Sequence, residues 1–161
     1  MIFKRGQAWG FDLMIASIIF ISGILIFYLY SLNASTETDE KLEALFYQGS
    51  LIADNLISEG YPLDWTEDTV TKIGLLSNNR INETKLERFY YLSEQDYGKT
   101  KTLLKTRYNY YITFSDQITI QGEVIDKIGQ QTKNPKNLIK ISRLTIYKEK
   151  PVEVHIFLWE I

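Results

Sequence analysis

The sequence predicts an α+β protein: a long N-terminal helix, membrane-spanning and then amphipathic, followed by short helices and a head with a four-stranded antiparallel sheet. Three observations predict it. Leu13 to Leu32 is a run of twenty positions without a charge. Apolar residues then recur at helical spacing as far as Ile57. From Arg107 onward the hydrophobic period changes to two.

The uncharged run is long enough to matter. At about 1.5 Å per residue, a helix of that length covers the roughly 30 Å hydrocarbon core of a bilayer. Lys4 and Arg5 precede it, whereas Glu37, Asp39, Glu40 and Glu43 follow it with only Lys41 among them, so the basic end is expected inside the cell. Trp9 near the inner end and Tyr28 and Tyr30 near the outer end suit interfacial belts. Of the 161 residues, 7–32 are therefore expected as the membrane helix, 33–60 as its amphipathic continuation and 61–161 as an extracytoplasmic head. All but two of the 18 Lys and Arg, and all but one of the 20 Asp and Glu, lie from Asn33 onward, leaving that part near −3. Such a balance has none of the clustered positive charge of a nucleic-acid surface. Cysteine is absent, which excludes disulfides and thiolate metal sites and leaves the head to packing alone.

Leu42, Leu45, Phe46, Gly49, Ile52, Ala53, Leu56 and Ile57 form one apolar stripe at i, i+3, i+4, i+7 spacing. Gly60 stands where a left-handed cap belongs and Pro62 two places beyond, so the helix is expected from about Gln7 to Glu59. Asn33, Ser35 and Thr36 form helix weakly and leave room for a kink. Tyr61 to Thr69 reads as a loop, and Val70 to Leu76 has no decided type. Asn82 can cap a helix carrying Leu86, Phe89 and Tyr90. Ser93 with Asp96 three places on has the form of a capping box opening a helix to about Leu104. RYNYYITF, ITIQGEV, IKISRLTIY and VEVHIFLW then alternate as strands. Ser115 to Gln117 and Lys148 to Pro151 are expected as hairpin turns, and Asp126 to Asn137 as the loop between two hairpins.

The first residues, KRGQAWGFDLMIASIIF, place two cations and the small Gly6 just before the apolar run. Here the chain resembles archaeal type IV pilin-like proteins with a class III signal peptide. The resemblance implies a leader of residues 1–6, with Lys4, Arg5, Gly6 and Gln7 as the processing site and cleavage between Gly6 and Gln7. It also implies retention of the apolar stretch, unlike a secretory signal. An uncleaved single-pass anchor with basic flanks, or a secretory cut near Ala34, are the other readings. The resemblance is specific over about the first sixty residues. Beyond Gly60, stretches such as GYPLDW, IGLL and RINETKLERFYYLS look like archaeal pilin-like proteins of undefined role.

That resemblance implies a structural subunit assembling through its N-terminal helix into a surface filament or small membrane complex. The partners would be membrane lipid, other copies or pilin-like subunits, the leader peptidase and the assembly machinery, with the head at the cell surface. The alternative is an uncleaved anchor displaying a binding or adhesion module. A carboxylate five residues after the cut is expected in the family to meet a neighbour's new N-terminal amine. Asp12 is the nearest candidate, one position later, with Phe11 at the fifth. An Asp at the headgroup level, or near a helix N-terminus whose dipole favours it, is the plainer account. Ala16, Ser17, Ser22 and Gly23 offer small surfaces for close helix approach, or simply face lipid. Asn33 and Asn82 head Asn-x-Ser/Thr sequons, which would make the chain a glycoprotein; Asn82 also has its capping work.

Catalysis has little in the sequence to rest on. His155 is the sole histidine, alternating in a strand on the side of Glu153, Phe157 and Trp159, where a packing or surface role is expected. No paired His, glycine-rich phosphate loop or Gly-x-Ser-x-Gly is present. The expectation is a protein that is not an enzyme, with no metal and no cofactor. For Tyr90, Tyr91, Tyr108, Tyr110 and Tyr111 a recognition surface is one reading, and packing of a sheet against a helix is the expected one.

Overall fold

The computed structural model describes residues 5–160, giving only the backbone course for 5–8 and 33–39. The architecture is α+β: a long N-terminal helix, shorter helices and a four-stranded antiparallel sheet. Two compact units divide it, Met1–Lys41 and Leu42–Ile161.

Helix α1 (Arg5–Leu56) is unbroken at Asn33, Ser35 and Thr36. It ends three residues short of Glu59, and Gly60 takes the left-handed conformation expected of it, with φ 75°. Within the second unit, Leu45, Gly49, Ile52, Ala53 and Leu56 are buried as the stripe requires. Leu42 and Phe46 are not: they lie at the N-terminal end of the stripe, where burial has only begun at Leu45, and Phe46 is 58% exposed. Each fully buried Leu or Ile contributes about 1.5–3 kcal/mol.

The undecided stretch from Val70 to Leu76 is a strap across the end of α1. The amides of Leu75 and Leu76 donate to the carbonyls of Leu56 and Ser58, each at 2.9 Å. These bonds satisfy acceptors that a helix C-terminus leaves open. Gly74 makes the approach possible, because a Cβ there would stand 2.2 Å from the amide nitrogen of Gly60. The fully buried Trp65 donates its indole proton to the Gly74 carbonyl at 3.0 Å.

Strands β1 (Leu76–Ser77) and β2 (Arg80–Ile81) form a hairpin through Asn78 and Asn79, both at positive φ. Helix α2 (Glu83–Gln95) starts at Asn82, whose side chain accepts the Lys85 amide. Helix α3 (Tyr97–Leu103) is capped by Asp96, not by Ser93, which lies buried within α2. Asp96 accepts the Lys99 amide at 2.8 Å, so the second cap sits three residues later than the capping-box pattern suggested.

The sheet runs β6 (Ile128–Gly129), β3 (Asn109–Phe114), β8 (Lys150–Glu160), β7 (Lys136–Tyr147), all antiparallel. The expected count of four strands holds, but one member differs. ITIQGEV forms its own hairpin, β4 (Ile118–Ile120) with β5 (Glu123–Ile125), turning at Gln121–Gly122. Both neighbours of β3 are already taken by β6 and β8, so Ser115 to Gln117 is not a turn back along it. Ser115 instead donates its amide to the Glu153 carbonyl at 2.9 Å. The expected 126–137 loop likewise contains β6 and the first residues of β7. The β7–β8 hairpin turns at Lys148–Glu149, both at positive φ, as a two-residue turn demands.

One face of this sheet presents Tyr110, Ile112, Ile128, Ile141, Val152, Val154, Ile156 and Leu158 to the core. Arg143 on β7 pairs with Asp54 of α1 at 3.0 Å. Tyr97 and Tyr110 lock α3 onto β3, their rings stacked 5.0 Å apart. The Tyr110 amide donates to the Tyr97 hydroxyl at 2.7 Å, and the Tyr110 hydroxyl to Thr100 Oγ1 at 2.6 Å.

Candidate anchor and head surfaces

Trp9–Leu32 of α1 is long and apolar enough to cross a membrane, with mean hydropathy 2.4 and no part buried within the chain. Helical geometry sorts the residues singled out there. At about 100° per residue, Asp12, Ala16 and Gly23 fall within about 40° of one another on one face, while Ser17 and Ser22 lie to either side. A Cβ at Gly23 would meet nothing within 4 Å, so a neighbouring helix has room to approach. Ser17 Oγ donates to the Leu13 carbonyl at 2.8 Å, the back-bond that hides a hydroxyl in apolar surroundings. Lys4 lies outside the described residues. Arg5, Gly6 and Gln7 occupy the first turns of α1, and Asn33 its middle; their side chains also lie outside the described set.

In the head, Asn82 is half-buried with both ends of its amide engaged. Oδ1 accepts from the Lys85 amide at 3.1 Å, and Nδ2 donates to Ser77 Oγ at 3.3 Å. A glycan on Nδ2 would compete with that second bond.

His155 lies on the sheet's outer face, its Nδ1 2.9 Å from Ser142 Oγ and 3.8 Å from Glu153 Oε2. Beside it, Tyr111 and Phe157 stack with centroids 4.4 Å apart, and Lys140 Nζ stands 5.6 Å over Phe157. These rings therefore cover one another's faces. Among the described residues no three His, Cys, Asp or Glu side chains gather as a metal site would need.

Two features were not legible beforehand. Lys85 is buried, its Nζ donating to the carbonyls of Glu59 at 2.7 Å and Leu76 at 2.8 Å. Burial pushes its pKa down, partly offset by the carboxylate of Glu59. Its position between Asn82 and the buried Leu86 and Phe89 was the available signal. The second is a cleft of about 390 Å³ between α1 and the α3–β3 connection, lined by Ala44, Tyr47, Gln48, Lys105, Arg107 and Tyr108. Arg107 donates to the Tyr108 hydroxyl at 3.2 Å, which leaves its positive charge at the rim. The two cations flank the join between the helix expected to end at about Leu104 and the alternating run expected to begin at Arg107, and neither pattern marks a cleft.

No family model, curated protein or solved structure matches the chain.

Proposed function

We propose that the chain is a structural subunit of the pilin-like kind, held in a membrane by residues 7–32 with its head outside the cell. It associates with copies of itself or related subunits through α1. The observation that supports this reading is a 24-residue apolar stretch, Trp9–Leu32, with no part of it buried, on the helix whose later turns build the core of the head. An apolar surface of that size needs lipid or other helices to cover it. The face shared by Asp12, Ala16 and Gly23 is where a second helix would approach most closely.

The chain has no cysteine, so single cysteines report contacts directly. With Gly23→Cys, membranes treated with a mild oxidant are expected to yield crosslinked dimers. Ile21→Cys, on about the opposite face of the helix, is expected to yield few. Chain recovered in the soluble fraction would sink the anchor. A membrane-bound chain without Gly23 crosslinks would leave an anchor that only displays the head.

A further inference from the structure

The cleft between α1 and the α3–β3 connection combines an apolar wall with unspent positive charge. Tyr47 is 63% exposed at its edge, and Phe46 and Leu51 add exposed apolar surface on the same stretch of α1. Lys105 follows the C-cap of α3 with φ 55°, a conformation that glycine adopts freely and lysine only under strain. Two other charged residues share that conformation, Lys148 and Glu149, and each is held by an ion pair, with Glu83 and Arg80. The Lys105 amide donates to the Thr102 carbonyl at 3.0 Å as part of that cap, whereas its ammonium has no hydrogen bond or ion pair among the described residues. The left-handed cap fixes where this ammonium emerges, and with no partner among the described residues it leaves the rim of the cleft open to an acidic partner outside the chain.

The occupant must be acidic and partly apolar. The sequence from Glu37 to Glu43 supplies Glu37, Asp39, Glu40 and Glu43, with Leu42 beside them. Glu40 and Glu43 are exposed, and among the described residues no ion pair engages Glu43. The geometry points to this acidic segment of a second copy as the occupant of the cleft. The inference rests on the assembly reading, because copies sharing one membrane anchor hold the two surfaces at high effective concentration. Opposite charges there would fix which copy meets which, the usual work of interfacial charge.

The test uses full-length chains in membranes, one copy carrying Glu40→Cys and the other Lys105→Cys. Oxidation should give the heterodimer at about ten times the yield of a control pair in which Asp116→Cys replaces Glu40→Cys. Adding Arg107→Glu to the Lys105→Cys copy should lower the yield about tenfold, and Glu43→Arg on the other copy should restore it. A yield equal to the control, or one indifferent to Arg107→Glu, overturns the inference. So does protection of the Lys105 amine by anionic vesicles with crosslinking at the control level, which would assign the cleft to lipid headgroups. Gly23→Cys reports the anchor separately. Crosslinks at Gly23 with none at Lys105 remove this inference alone, and absence of both removes the assembly reading as well.

Discussion

Lys85 holds its Nζ 2.7 Å from the carbonyl oxygen of Glu59, so a positive charge from α2 closes the end of α1 from inside the head. Positive charge is favoured at a helix C-terminus, and here it also bonds Leu76 on the strap. Lys85→Met keeps the stem but leaves two buried carbonyls short of a donor. The expected loss is about 1–3 kcal/mol, read by denaturant titration of the full chain in detergent. An unchanged midpoint would mean that water replaces the ammonium without penalty.

The head should lose stability in alkali through Tyr110. Burial pushes its pKa up, against the pull of its hydrogen bond to Thr100. The neutral form is thus favoured by folding. That contribution is complete below the unfolded value near 10.0 and is lost as pH rises through the higher folded value. Lys85 acts oppositely: its folded pKa is lowered, so stability is gained as pH rises from that value towards 10.5. Titrations between about pH 8 and about pH 11.5 should show Tyr110→Phe flattening the alkaline fall. A fall of the same slope in that variant would place the sensitivity elsewhere.

Two glycines should answer differently to alanine. At Gly74 a Cβ would fall 2.2 Å from the Gly60 nitrogen and 2.4 Å from the Ser58 oxygen, both backbone atoms that cannot swing away. Gly74→Ala should cost more than about 3 kcal/mol. At Gly49 the nearest atoms are the side-chain ends of Ile141 and Ile139, which can rotate, and alanine favours the helix by about 1 kcal/mol. Gly49→Ala should stay within about 1 kcal/mol of the parent. Melting both variants side by side checks the ranking.

Asn82 can be separated into cap and sequon. Asn82→Ala should cost about 1 kcal/mol by removing the oxygen that accepts the Lys85 amide. Thr84→Ala removes the sequon and keeps the cap, so its stability should match the parent expressed without glycosylation. Intact mass in a glycosylating host then decides occupancy: a mass lost equally in both variants marks a glycan at Asn82.

Asp12→Ala should leave the amount of chain in the membrane unchanged, since removing a charge makes the anchor more apolar. It should lower Gly23→Cys crosslinking, because a cation supplied by a neighbour would lose its partner in a low-dielectric contact. Equal crosslinking in parent and variant would remove Asp12 from assembly.

Where sequence reading succeeded, the signal was local. Gly60 and Asn82 punctuate helices by their own backbone and capping chemistry, and Lys148–Glu149 joins two long alternating strands. It failed where partners are chosen at a distance. The alternation of ITIQGEV marks a strand pair correctly, yet nothing in it says that Ile128 and Gly129, too short to show a period, take the edge of β3 instead. Phe46 keeps helical spacing with the core residues yet stays exposed, because burial along α1 has only begun at the N-terminal end of the stripe. Lys85 and Lys105 were illegible for the same reason: one bonds carbonyls 26 and 9 residues back, and the other meets α1 only through the fold.

The order of the sheet has a consequence for biogenesis. Strand β8 lies between β3 and β7, although it follows both in the chain. Until β8 has emerged, β3 and β7 have no strand to join them, and the inner face made by Val152, Val154, Ile156 and Leu158 is missing from the core. The head therefore cannot close while its preceding residues are being delivered. On the topology proposed above, a chain inserted by its N-terminal helix would cross the bilayer as a loose thread, and the same residues that complete the sheet would pull the emerging domain shut.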